Sequence, residues 1–235
     1  MQVRRLFMGS MDGFLGPSMP FNGYAILHPE GVVLVDTAFG EVFGEGRSGV
    51  LEFGESRWPW MARSTLAALA DHDVEPGDVK YVVNTHLGDH SGENHLFKEA
   101  TFMIQRPEFE WALAAAPTNP FLSPERYDFP GARIELLDGE DCEVLSGVRV
   151  LFTPGHTPGH QSVLVDTDAG RQLYVGDAVY DRSIWVDLDT MTEEHPAWGS
   201  QVAAGYELWR DSAEKLKALD VEAVHFSHDE RVERP

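Results

Sequence analysis

The nine residues Asn84–Gly92, NTHLGDHSG, are the most informative stretch for the fold of this chain, because two histidines and an aspartate follow directly after a predicted buried strand. The apolar run Val79–Asn84 predicts that strand. His86, Asp89 and His90 then follow within five residues. Imidazole nitrogen and carboxylate oxygen are ligands of zinc and similar metals. A tight loop after a rigid strand can therefore aim several ligands at one point.

Three more segments follow the same plan, a predicted strand that ends in a histidine or a carboxylate. In Thr153–His160, TPGHTPGH, two prolines and two glycines predict a stiff turn that holds His156. A third strand ends in Asp177, and a fourth is followed by His228. A single residue of this kind is more often a hydrogen-bonded turn residue than a ligand. Four together favour a metal site.

Composition excludes several classes of function. The chain has 235 residues, of which 43% are hydrophobic and 24% charged, as in ordinary globular proteins. Its formal net charge of −21 argues against binding nucleic acid or an anionic membrane surface. Its single cysteine, Cys142, excludes an internal disulfide and a cysteine-rich zinc module. The first residues are too quickly polar for a signal peptide, so we expect a cytoplasmic protein.

Strands alternate with helices along the chain, which predicts an α/β architecture. We expect helices over Met61–Asp71, Pro107–Ala115 and Gln201–Leu219. Between the elements lie three long stretches rich in proline, glycine and aromatic residues, and loops of this length are usually functional or disordered. They are Glu41–Trp60, Thr118–Gly131 and Ser183–Ser200. Their aromatic residues favour the first alternative.

The order of these motifs resembles that of the metallo-β-lactamase superfamily, and within it the N-acyl homoserine lactonases, the quorum-quenching lactonases. The motifs that carry the resemblance span most of the chain. They are Leu34–Thr37, Thr85–His90, Pro154–His156, Gly176–Asp177 and Phe226–Asp229. The resemblance implies that residues 1–235 form one hydrolase domain, a four-layer αββα sandwich with loop insertions over the site. It also implies two zinc ions at one edge of the sheets.

The resemblance further assigns a role to each residue of the site. His86 and His156 would bind the first metal, and Asp177 would bridge both metals. Asp89, His90 and His228 would bind the second metal, with Asp36 orienting the ligand loop. Asp89 would also handle protons, and the Tyr180 hydroxyl would point at the substrate carbonyl. Trp58 and Trp60 fit a wall of the acyl-chain pocket and ordinary lid packing equally well.

The first motif departs from the family pattern H-x-H-x-D-H. This chain has His86-Leu87-Gly88-Asp89-His90, which is one residue shorter and lacks the middle histidine. The first metal thereby loses one of three imidazoles, and we expect weaker binding there. Glu93 and His95 are nearby candidates for a substitute ligand.

The function that the resemblance implies is hydrolysis of N-acyl homoserine lactones, in which metal-bound hydroxide opens the lactone ring. The partner would be a small-molecule lactone or ester, and the resemblance also allows a homodimer. One alternative is a metal-dependent hydrolase of another ester or thioester, because the fold alone does not choose a substrate. The other is a non-catalytic member of the fold whose metal site is impaired by the missing histidine.

Overall fold

The computed structural model describes residues 1–13, 17–39, 48–53, 56–119, 121–193 and 204–235, with the backbone alone for 48–53, 56 and 58. In these residues the strands form two sheets. The first sheet has the order β4-β5-β1-β2-β3-β6-β7-β8. Its strands are β1 Gln2–Met11, β2 Met19–His28, β3 Gly31–Val35, β4 Ser48–Phe53, β5 Ser56–Ala62, β6 Val79–Val83, β7 Thr101–Gln105 and β8 Arg133–Leu137.

The second sheet has the order β13-β12-β11-β10-β9. Its strands are β9 Cys142–Leu145, β10 Val148–Phe152, β11 Gln161–Thr167, β12 Gly170–Tyr174 and β13 Ala223–His225. The helices are α1 Thr65–Ala70, α2 Arg106–Ala115, α3 Pro124–Tyr127, α4 Arg182–Asp187 and α5 Tyr206–Lys217. Short 3₁₀ turns cover Pro76–Asp78, Asn94–Leu96, Gly176–Ala178 and Leu188–Thr190. Among these described residues, no helix combines the length and apolar character that a membrane span requires.

Strand alternation divides the apolar side chains among layers. In β3, Val33 and Val35 face the second sheet, and Leu34 faces the helices on the outer side of the first sheet. Both faces of β3 are buried, which explains its continuous apolar run. Each buried side chain of this size contributes roughly 1.5–3 kcal/mol to folding.

Three apolar layers hold the two sheets and the helices together. Helices α1 and α2 cover the outer face of the first sheet, and the two sheets pack against each other in the middle. Helices α4 and α5 cover the second sheet, where Trp209 and Leu216 pack against Leu164 and Leu173. The order helix, sheet, sheet, helix confirms the predicted αββα sandwich.

The structure corrects several predicted boundaries. The helix predicted over Met61–Asp71 begins at Thr65, because the Ser64 hydroxyl caps it by accepting a hydrogen bond from the Ala67 N–H (3.1 Å) and the residues before it belong to β5. The predicted loop Glu41–Trp60 contains β4 and most of β5, which form a hairpin, and β5 pairs with β1 of the first sheet. The other two predicted loops contain α3 and α4. The parts of these stretches at 41–47, 54–55, 120 and 194–200, and the start of the predicted helix at 201–203, lie outside the described residues.

The strand ends bring the predicted site segments to one edge of the sandwich. Asp36 follows β3, and His86 follows β6, its parallel neighbour. On the second sheet, His156 follows β10, and Asp177 and His228 follow the parallel pair β12 and β13. These ends face each other across the inner core, so the five segments converge.

Candidate metal centre

Asp177 lies at the centre of the converging segments. It occupies the 3₁₀ turn after β12 and is 3% exposed. Its carboxylate is 3.2 Å from His228 Nε2 and 3.7 Å from His90 Nε2. Its second oxygen is 3.7 Å from His156 Nε2. Three imidazoles from three different segments therefore present the same ring nitrogen to one buried carboxylate.

The shortened loop after β6 brings its predicted ligands to the same place. His86 Nε2 is 3.3 Å from Asp89 Oδ1, and the His86 and His90 rings are 4.5 Å apart. One ligand atom from each of His86, His90 and Asp177 lies within 4.8 Å of the others. Gly88 makes the tight turn possible, since its φ of 116° is a conformation that glycine tolerates best.

Asp36 fixes the orientation of two of these imidazoles. Its backbone is left-handed, with φ of 62°. Its Oδ2 atom accepts hydrogen bonds from His90 Nδ1 (3.0 Å) and from the Thr85 hydroxyl (2.8 Å). Because the single Thr85 proton goes to Asp36, the Thr85 oxygen accepts from His86 Nδ1 (3.1 Å). Both imidazoles therefore keep their Nε2 atoms for the centre of the site.

The other two histidines have different partners. His228 Nδ1 donates to the Pro20 carbonyl oxygen (2.9 Å), which again leaves Nε2 for the site. His156 Nδ1 lies 3.2 Å from the Tyr180 hydroxyl. The Tyr180 ring stacks on His228 with ring centres 5.1 Å apart. Tyr180 thus touches ligand candidates of both predicted metal positions.

The charges of the site follow from these contacts. Burial alone would raise the pKa of Asp177, but His228 and His90 hold it well below its usual range. Burial would also raise the pKa of Asp89, but the hydrogen bond from His86 lowers it to about 2. Burial would lower the pKa of His90, yet Asp177 and Asp36 raise it to about 10. Without metal, the site therefore holds its carboxylates ionised around a protonated imidazole, and a cation must displace that proton.

The residues fit a divalent metal. Among the described residues, the buried atoms His90 Nε2 and Asp177 Oδ1 have no hydrogen-bond partner, and both point into the cluster. A buried polar atom without a partner is costly in a folded protein. Imidazole nitrogen with carboxylate oxygen is the donor set of zinc and related ions. A bound metal would satisfy both atoms.

Other candidates have structural roles. His160 binds the Asp177 backbone N–H through Nε2 (3.0 Å), and it supports the turn as the sequence predicted. His225 pairs with Gln172, away from the cluster. Glu93, a candidate substitute ligand, also has a structural contact, because its Oε2 accepts from the Thr65 N–H (2.7 Å) at the start of α1. Trp60 is half-buried against Phe21, and the Trp58 side chain lies outside the described residues.

Sequence reasoning missed three residues that shape the site. Thr85 connects Asp36 to His86, and the Phe21 ring lies 4.7 Å from the His228 ring. Glu108, on α2, accepts hydrogen bonds from the two loops that carry His86 and His156. Only Thr85, next to a motif histidine, carried a local signal. Phe21 and Glu108 resemble ordinary core and helix residues in the sequence.

The comparisons with known proteins agree with this geometry. The model of the metallo-β-lactamase superfamily matches residues 20–228, and the chain belongs to that superfamily. An N-acyl homoserine lactonase of Bacillus sp. is 31% identical over 231 residues, covering 92% of this chain and 84% of the relative. The chain is thus an enzyme, a metal-dependent and lactonase-like hydrolase.

Solved structures show the same likeness. A quorum-quenching N-acyl homoserine lactone hydrolase superposes with a TM-score of 0.74 and 26% identity, covering 97% of this chain and 92% of that chain. Another solved N-acyl homoserine lactone hydrolase has the product N-hexanoyl-L-homoserine bound at its catalytic metal center. It has a TM-score of 0.74 and 27% identity, and it covers 97% of this chain and 93% of that chain.

Proposed function

We propose that this enzyme opens the lactone ring of N-acyl homoserine lactones, an activity that would make it a quorum-quenching enzyme. The observation that carries the proposal is the cluster around Asp177, with three imidazole Nε2 atoms between 3.2 and 3.7 Å from its carboxylate. This donor set belongs to a chain about 30% identical to curated lactonases. In the reaction, water adds to the lactone carbonyl carbon and the bond to the ring oxygen breaks. The products are a carboxylate, a hydroxyl group and one released proton.

The proposed centre holds two zinc ions. His86, His156 and Asp177 would hold the first, and Asp89, His90, Asp177 and His228 the second. Zinc supplies Lewis-acid polarisation of a carbonyl oxygen and makes water nucleophilic at neutral pH. His90 and His228 keep Nε2 directed inward because Asp36 and the Pro20 carbonyl hold their Nδ1 atoms.

Asp89 and Tyr180 are the proposed catalytic residues. The Asp89 side chain is 31% exposed, so water can reach its carboxylate, which would accept a proton from that water. It would return that proton to the ring oxygen as the bond breaks. Burial raises the pKa of Tyr180 well above its usual value, as do Asp177 and Asp89. The hydroxyl therefore stays protonated and can donate to the developing oxyanion.

An apolar wall beside the centre suits the acyl chain. Phe21 lies against both His228 and Phe39, with ring centres 4.7 and 3.9 Å apart. Met19 and the half-buried Trp60 belong to the same cluster. Phe21, Phe39 and Met19 are at most 4% exposed, so an acyl chain extending from the lactone nitrogen would meet this cluster at the half-buried Trp60.

Parallel rate measurements with an N-acyl homoserine lactone, an aryl ester and an S-acyl glutathione test the substrate. We expect the lactone to be hydrolysed fastest, and chelation of the metal to abolish its hydrolysis. Faster hydrolysis of the aryl ester or the thioester would contradict the proposal and favour the broader hydrolase. The matched control is Asp189→Asn, an exposed aspartate in the turn after α4, which should leave all three rates unchanged.

The missing imidazole favours a second candidate, a metal-impaired member of the fold that binds without cutting. It predicts no zinc in the purified protein and no effect of chelator on thermal unfolding. We also propose one domain over residues 1–235, a cytoplasmic location and a homodimer. The inner core supports the first, since both sheets contribute to it.

A further inference from the structure

Glu108 is a buried carboxylate that the proposed chemistry does not use. It lies in the first turn of α2, immediately after β7 of the first sheet, and it is 1% exposed. Its Oε1 atom accepts a hydrogen bond from the Leu87 N–H (2.9 Å). Its Oε2 atom accepts one from the Gly159 N–H (3.1 Å). One side chain thus ties two loops to one rigid helix.

Those two loops carry the imidazoles of the first metal position. Leu87 directly follows His86, and Gly159 lies three residues after His156. At Gly159 a Cβ atom would stand 2.1 Å from the Glu108 backbone nitrogen, so the loop and the helix are in direct backbone contact. The His86 and His156 ring centres are 4.6 Å apart. The backbones of both loops therefore donate hydrogen bonds to the same carboxylate.

We propose that Glu108 is a positioning residue that sets the spacing of His86 and His156 and thereby the metal affinity of the first position. The inference rests on the proposed function. It explains how a position with two imidazoles, rather than the three of the family motif, keeps a defined geometry. His90 and His228 are instead held by hydrogen bonds to Asp36, the Pro20 carbonyl and Asp177, so the second position depends on other supports.

Cobalt titration of the metal-depleted protein tests this inference. Glu108→Gln keeps the shape of the side chain but has one oxygen, so it can accept from only one loop. We expect the Co²⁺ concentration for half-saturation of the weaker binding step to rise about tenfold, with an altered cobalt absorption spectrum. Glu110→Gln is the matched control on the exposed face of the same helix, and it should behave like the unaltered protein.

Repeating Glu108→Gln in a His156→Ala background separates positioning from a general loss of stability. Without His156 the spacing of the two rings no longer matters, so we expect Glu108→Gln to change the half-saturating Co²⁺ concentration by less than about twofold in this background. An equal rise in both backgrounds, or no rise in either, would overturn the inference. If Glu108→Gln does not fold, Glu108→Asp keeps the charge and shortens the reach, and the same rise is expected. Absence of cobalt binding in the unaltered protein would instead contradict the proposed function itself.

Discussion

The two metal positions differ in how firmly their ligands are held. In the second position, His90 and His228 each donate Nδ1 to an acceptor fixed by the fold, Asp36 and the Pro20 carbonyl. In the first position, His86 Nδ1 donates to the Thr85 hydroxyl, and His156 Nδ1 lies beside the Tyr180 hydroxyl. The first position thus has one imidazole fewer than the family motif, and the groups beside its two Nδ1 atoms are hydroxyls, which can rotate. Unequal affinity follows from both features.

Removing the residue common to both positions should give the largest effect. Asp177→Asn removes the negative charge of the central carboxylate and replaces one of its two oxygens by an NH2 group, which cannot bind a metal. We expect zinc affinity at both positions to fall by more than about 100-fold. Competition with a chromogenic chelator measures this loss. If one position kept its affinity, Asp177 would not be shared, and the comparison of two positions around one carboxylate would fail.

Restoring the missing imidazole should reduce the difference between the positions. A histidine inserted between Leu87 and Gly88 supplies a third imidazole, and we expect the first position to gain roughly 10–100-fold in zinc affinity, with faster hydrolysis. An alanine inserted at the same point lengthens the loop without a ligand and serves as the control. Equal effects of the two insertions would show that loop length matters, not the imidazole.

Breaking the connection through Thr85 should weaken one position selectively. Thr85→Val removes the hydroxyl that orients His86 but leaves the His90–Asp36 hydrogen bond (3.0 Å) in place. We expect about a tenfold loss of affinity at the first position and no change at the second. Asp36→Asn, by contrast, should weaken both. Stepwise titration by calorimetry distinguishes the outcomes, and equal losses at both positions for Thr85→Val would contradict the assigned connection.

A histidine outside both positions gives the smallest effect. Burial lowers the pKa of His225 to about 4, so the folded protein resists a proton that the unfolded chain binds near pH 6.5. The stability from neutral His225 is therefore complete above pH 6.5 and is lost as the pH falls towards 4. Allowing for the partial exposure of the ring, we expect neutral His225 to contribute about 1 kcal/mol to the free energy of unfolding. Urea unfolding of the metal-depleted protein measures this free energy at each pH. Between pH 6.5 and 4 it should fall less steeply in His225→Gln than in the unaltered protein, and equal slopes would contradict this prediction.

The sequence predicted the αββα fold because strand-end motifs identify the family and because buried strands such as β3 are apolar on both faces. It did not predict β1 and β2, because β1 carries Gln2, Arg4 and Arg5, and β2 buries the polar Asn22. Asn22 is tolerated there only because its amide donates to the Ser227 carbonyl (3.1 Å), 205 residues away. A contact between residues so far apart in the chain leaves no pattern in the sequence around either of them.

The candidate site shows the same limit. The chain positions of His86, Asp177 and His228 were sufficient to nominate them as ligands. The hydrogen bonds that orient the ligands depend on the left-handed backbone of Asp36 and on the approach of α2 to two loops. The spacing of residues along the sequence predicts neither this backbone conformation nor the position of α2. It also did not predict that Glu93, a candidate substitute ligand, accepts a hydrogen bond from the Thr65 N–H at the start of α1.

The central claim is that the shortened loop still supports metal-dependent lactone hydrolysis. The most direct measurement follows N-acyl homoserine lactone hydrolysis by metal-depleted protein while zinc is added back and the bound zinc per chain is counted. We predict no hydrolysis without zinc, one tightly bound ion, and a second weaker ion whose binding completes the activity. Failure to bind zinc, or hydrolysis at the same rate without it, would contradict the account.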